Sequence, residues 1–271
     1  MAKIRHIGML SELGIIRVSH HRFDDPFEMS SLSRYLSIGS ALLIVVPLSL
    51  FFSRPVSRIQ YRYLGAAFVI FGVSFVLLTL PFAFPGLYVG HINWSGKTFS
   101  IIVVYTIILS RKKSDPARKF MTFAQRKGSF WRSLTLILLL ALFSAAVTIS
   151  GGDQGHMPIH REILAYEATL PGLDEEAVFR AAFLGYMLAA ARGKSVMTAW
   201  SVAGPVLTSA ILFGLIHALH VDTTLHMHFD IATFAITGAI GVGLAILMLD
   251  SGSILLPVVA HNLANCVGML V

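Results

Sequence analysis

Runs of apolar residues recur along this chain, and its polar positions gather between those runs rather than alternating with them. About 20 apolar residues cross a bilayer as a helix, whereas a membrane strand needs about 10 with alternating polarity. The pattern therefore predicts helices, with spans at about 35–52, 63–84, 99–110, 134–150, 174–191, 196–219, 229–249 and 254–271. The expected fold class is all-α: a polytopic transmembrane helical bundle of about eight spans. The third span is short, and Trp94 and Lys97 are expected to extend it by snorkelling to the interface. Pro85-Gly86 reads as the turn that closes the second. Three regions result. Residues 1–34 form an extramembrane segment, either a surface amphipathic helix or partly disordered. Residues 35–133 supply three accessory spans and a basic loop. Residues 134–271 form the core that carries the polar groups discussed below.

Composition strengthens the membrane assignment. The chain is 55% hydrophobic and 13% charged, with a mean hydropathy of +0.74, against roughly 25% charged in soluble domains. The net charge of +7 does not indicate nucleic acid, because the basic residues cluster between the spans, as the positive-inside rule requires. Arg54, Arg58 and Arg62, the loop 111–132 and the Arg192/Lys194 pair all fall on one side if there are eight spans. That side is expected to be cytoplasmic in a multi-pass plasma (inner) membrane protein. The N-terminus, the acidic loop 151–173 and the loop 220–230 then lie outside, as does Asn93-Trp94-Ser95, a glycosylation sequence in a suitable host. Cys266 is the single cysteine, so no internal disulfide or cysteine-based metal cluster is expected. The polar start of the chain does not read as a cleavable signal peptide.

Ionisable groups inside a membrane are costly and are functional candidates by default. Asp174-Glu175-Glu176 opens the fifth span, and Arg180 stands four residues after Glu176, on the same helical face. One Glu can be held by Arg180 while the other stays free for proton transfer; acids at a solvated helix start are the plain alternative. Phe213 and His217 end the sixth span, where a lone His is more often structural. His261 and Asn265 share one face of the eighth, where interhelical hydrogen bonding is the competing explanation. The loop His220–Asp230 holds Asp222, His226 and His228, but its spacing fits no compact zinc site. Helical zinc-protease, nucleophile-elbow and phosphate-loop motifs are absent.

Glu175-Glu176…Arg180, Phe213…His217 and His261…Asn265, in that order on successive apolar spans, resemble the CAAX protease and bacteriocin-processing (CPBP, or Abi) family of type II CAAX prenyl endopeptidases. The resemblance covers about 134–271, making that region a CPBP-like catalytic membrane core. It implies an intramembrane endopeptidase acting on membrane-anchored or exported protein substrates. By that resemblance Glu175 is the general base with His217 as its partner, while His261 and Asn265 stabilise the oxyanion; Glu176, Arg180 and Phe213 support them. No cofactor is certain. A divalent metal such as zinc on Glu175, His217 and His261 stays open, since the resemblance allows a glutamate-type or a metal-dependent enzyme. A non-enzymatic membrane scaffold or immunity protein and a metal or proton transporter are the competing functions. In the predicted topology the site opens to the non-cytoplasmic side. His261 would then lie about 10 Å from the inner end of its span at 1.5 Å per residue. The expected explanation is that the preceding turn, Asp250–Ser253, is sunk into the bundle, with Pro257 bending the helix.

Overall fold

The structure is a computed structural model and describes residues 31–90, 92–151, 161–191 and 199–270. Its helices are α1 (Ser31–Ser53), α2 (Arg58–Ala83), α3 (Trp94–Leu109), α4 (Phe130–Ser150), α5 (Arg161–Glu167), α6 (Leu170–Glu175), α7 (Gly185–Ala191), α8 (Trp200–Ala218), α9 (Ile231–Ser251) and α10 (Leu255–Leu270). A π-helix, Glu176–Leu184, joins α6 to α7, so the chain runs helically from 170 to 191. Five helices, α1, α2, α4, α8 and α9, are long and apolar enough to cross a membrane, whereas α3 and α10 are shorter. The architecture is a polytopic helical bundle with one addition to the all-α expectation. Strands β1 (Leu219–Val221) and β2 (Met227–Phe229) form an antiparallel hairpin between α8 and α9. The expectations for residues 1–30 and for the Arg192/Lys194 loop lie outside the described residues, while 31–34 belong to α1 rather than to a separate segment.

The helices pack through small residues and present their bulk outward. The buried stripe of α1 is Ser33, Ser37, Ala41, Val45, Ser49 and Ser53, one residue every four, whereas Leu43 and Phe51 are exposed. In a bilayer this is the favourable arrangement, because lipid is as apolar as Leu and close backbone approach supplies the packing energy. An aromatic ladder ties the centre together. Phe71 of α2 meets Phe179 at 5.8 Å, Phe68 meets Phe183 at 5.3 Å, and Tyr63 stacks on Tyr186 at 6.0 Å. These contacts fix the segment 176–191, which is almost wholly buried.

Helix ends are secured locally. Ser57 and Gln60 form a reciprocal capping box at the start of α2, and Gln60 Nε2 also donates to the Ala190 carbonyl near the end of α7 at 2.8 Å. Asn93 accepts from Gly96 N–H at 3.0 Å to cap α3 and donates to the Leu78 carbonyl at 2.8 Å. Its side chain is therefore buried and engaged, which removes it as a free glycan acceptor. The α9–α10 turn uses Gly252 at φ 71°, a left-handed conformation suited to glycine. Ser251 and Ser253 on either side are fully buried. The loop between α3 and α4 covers them: Arg126 N–H donates to the Ser251 carbonyl at 2.7 Å and Ile254 N–H to the Phe120 carbonyl at 3.0 Å. The turn is thus embedded in protein. Pro257 lies in the first turn of α10, where no intrahelical donor is lost, so it does not kink the helix.

Candidate active site

The two adjacent carboxylates at the α6–π-helix junction have different partners. Glu176 is fully buried and points at Arg180, with Oε2 at 3.2 Å from Nε, while Oε1 meets His261 Nδ1 at 2.8 Å. The spacing of four between Glu176 and Arg180 pointed to this pair, and Glu176 is the one Arg180 holds. Arg180 is fully buried as well, and its guanidinium lies 4.4 Å above the Phe213 ring. A desolvated cation over an aromatic face is worth about 2 kcal/mol, which gives the Phe213 position a physical reason. The same ring lies 4.6 Å from the His217 ring and 6.0 Å from the His261 ring. Phe213 therefore sets both imidazoles and the guanidinium around one hub.

His217 Nδ1 is 2.7 Å from the Phe213 carbonyl, one turn back on α8. A carbonyl only accepts, so this partner places the proton on Nδ1 and leaves Nε2 as an acceptor. His261 is held at Nδ1 by Glu176, and its Nε2 lies 3.8 Å from Glu175 Oε2. The Oε2 atom is buried and has no hydrogen-bond donor among the described residues. The structure thus brings Glu175, Glu176, Arg180, Phe213, His217 and His261 together.

Asn265 stands apart from the arrangement expected of an oxyanion donor. Its Nδ2 donates to Glu167 Oε2 at 2.8 Å, committing the amide to the buried end of α5. Burial pushes the Glu167 carboxyl up to about 8. Beside it, Asn262 accepts from Gly172 N–H at 2.7 Å and donates to the carbonyls of Ala168 and Thr169 at 3.1 Å each. A Cβ on Gly172 would fall 2.7 Å from the Val258 carbonyl, so the glycine permits the close crossing of α6 and α10.

Two participants escaped the sequence reading. Lys97 does not snorkel: it is buried, and its Nζ lies 2.6 Å from Glu175 Oε1 and 3.1 Å from Asp174 Oδ2. Ser100, one turn later on α3, donates to Asp174 Oδ1. Lys97 and Ser100 are three apart near the start of an apolar helix, a spacing that marks a shared face but not the direction it points.

The histidine-bearing loop 220–230 is the β1–β2 hairpin. Asp222 Oδ1 accepts from Thr224 N–H at 2.9 Å, the Thr224 hydroxyl at 2.7 Å and His226 N–H at 2.9 Å. These donors, the Thr224 hydroxyl first, hold the Asp222 carboxyl below its usual range. Asp230 caps α9 through Ala232 and Thr233 N–H. Both acids therefore serve the backbone. Among the described residues no three His, Cys, Asp or Glu side chains are grouped to hold a metal ion. At Glu175 one carboxylate oxygen already carries the Lys97 ammonium, so a divalent cation would meet this carboxylate through Oε2 alone.

The fold and this centre define a polytopic helical membrane protein with a buried carboxylate–imidazole site. Comparison with family models gives the class a likeness: residues 162–267 match the model for "Type II CAAX prenyl endopeptidase Rce1-like", so this part of the chain is similar to that family. No curated protein and no solved structure matches the chain. The matched residues include every motif position from Glu175 to Asn265 and exclude α3.

Proposed function

We propose that this protein is a glutamate-type intramembrane endopeptidase that cleaves membrane-anchored or exported protein substrates. The observation that carries the reading is the asymmetry of Glu175: Oε1 is bound by Lys97, and Oε2 is buried, without a donor among the described residues, and turned toward His261 Nε2 at 3.8 Å. In the reaction, Glu175 Oε2 takes a proton from a water that His217 Nε2 orients by accepting its second hydrogen. The water oxygen bonds to the scissile carbonyl carbon, and the carbonyl π pair moves to oxygen. His261 faces that oxyanion; donation from its Nε2 requires the imidazolium, for which Glu176 is the counter-ion at 2.8 Å. Collapse breaks the C–N bond, and Glu175 passes its proton to the leaving nitrogen. Oriented donors at a developing oxyanion usually supply the largest share of catalysis in acyl transfer. Asn265, tied to Glu167, acts in this reading by fixing α10 rather than by touching the substrate. No metal enters any step.

The mouth of the site is proposed to lie on the face opposite the basic loops, with eight crossings of the membrane. In that arrangement cysteines introduced at Arg118 and His226 are labelled from the inside and the outside, respectively. The activity itself is tested with the purified full chain in liposomes and an internally quenched peptide bearing an S-farnesyl cysteine near its C-terminus. Mass spectrometry in ¹⁸O-water is expected to find two fragments with one ¹⁸O on the new carboxyl, unchanged by a chelator. Cleavage abolished by the chelator and restored by zinc would overturn the metal-free mechanism.

A further inference from the structure

We infer that Lys97 is a positioning residue for the Glu175 base, brought by α3 from outside the family-matched segment and aimed by the Asp174–Ser100 pair. The inference rests on Glu175 being the base.

A buried lysine needs a reason, because an uncompensated ammonium in a low-dielectric interior costs several kcal/mol (roughly). Two carboxylates meet this one, with Glu175 the closer at 2.6 Å and Asp174 at 3.1 Å. A purely structural ion pair needs only one of them. Asp174 is fully used: one oxygen meets Lys97 and the other accepts from Ser100, so both its acceptors point back into α3. The first turn of α3 is itself fixed, since Asn93 caps it through Gly96 N–H and ties it to Leu78 of α2. Asp174 and Ser100 thus form a rigid seat, and the ammonium in that seat grips Glu175 by Oε1 alone.

The consequence falls on the other oxygen. A glutamate has three rotatable bonds, and a free one would spread its carboxylate over many orientations. Pinning Oε1 leaves Oε2 as the atom presented to His261 and the reacting water. Misplacement of a catalytic group by about 1 Å costs about 10²-fold in rate, so the grip is expected to act on kcat rather than on substrate affinity.

The test must separate positioning from simple charge balance. Lys97→Met alone leaves two buried carboxylates without their cation and is expected to destabilise the fold. Lys97→Met combined with Asp174→Asn leaves one buried carboxylate without its cation instead of two and is expected to recover part of the stability that Lys97→Met loses. Both are assayed as full chains in liposomes with the farnesylated quenched peptide, beside Lys97→Arg and Glu175→Gln. The double variant is expected to show kcat lowered about 10²-fold with KM within about twofold. Lys97→Arg, which keeps a cation, should recover at least about tenfold of that loss. A stable double variant with the parent kcat would overturn the inference and leave the base assignment intact if Glu175→Gln is dead. An active Glu175→Gln would instead overturn the base assignment itself.

Discussion

Helices α3 and α10 are both 16 residues long, both apolar and both shorter than the helices expected to cross the bilayer unaided. Each delivers a polar group to Glu175. α10 brings His261 to Glu175 and Glu176, and Asn262 and Asn265 to the α5–α6 end. α3 brings Lys97 to Glu175, and Ser100 to its neighbour Asp174. In the proposed mechanism they differ in what they contribute: α10 supplies a group that faces the reacting atoms, whereas α3 supplies a cation that holds one of those atoms in place. Of the two, only α10 falls in the family-matched residues, as far as residue 267. On the proposed mechanism the matched segment holds the reactive groups, and a helix outside it aims one of them.

The largest expected effect lies at the centre that both helices enclose. Arg180→Met should cost about 3–5 kcal/mol, since it leaves Glu176 buried without its cation; thermal unfolding in detergent checks this, and a melting point within a degree of the parent would show that His261 alone satisfies Glu176. On the α10 side, His261→Ala should lower kcat about 10²–10³-fold with the chain still inserted and folded. An unchanged kcat would reduce α10 to a structural role and erase its contrast with α3. Gly172→Ala should destabilise by about 1–3 kcal/mol through overpacking, because its Cβ would sit 2.6 Å from Asn262 Oδ1. The smallest effect belongs to a largely exposed pair away from the buried carboxylates. Arg132 and Asp250 lie 2.9 Å apart with the arginine largely exposed, so Arg132→Ala should change stability by about 1 kcal/mol or less. A larger loss there would mean that the ion pair helps to hold the buried α9–α10 turn.

The helical bundle was legible because long apolar runs admit few other structures in a membrane. The number of crossings was harder to read, because α3 and α10 are short and the segment 170–191 carries Asp174, Glu175, Glu176 and Arg180 within its helix. The motif residues were legible as a set, and their spacing anticipated the Glu176–Arg180 pair. Lys97 was misread for a physical reason: near the end of an apolar helix, an interfacial lysine and an inward one have the same sequence. Only the acid seat made by Asp174 and Ser100 distinguishes them, and that depends on how α3 meets α6. For Asn265, sharing a face with His261 does not tell an amide that reaches the site from one that donates to Glu167, as it does here. The buried turn before α10 follows from packing by the α3–α4 loop, a contact between segments about 130 residues apart, as in the Ser253–Thr122 hydrogen bond.

The central claim is that Glu175 activates the attacking water. It is tested most directly by single-turnover cleavage of the farnesylated peptide by Glu175→Gln, which retains the shape of the side chain and an acceptor for Lys97 but cannot take up a proton. The account predicts a rate about 10²–10⁴-fold below that of the parent, with substrate binding and melting temperature essentially unchanged. Cleavage at the parent's rate would contradict it.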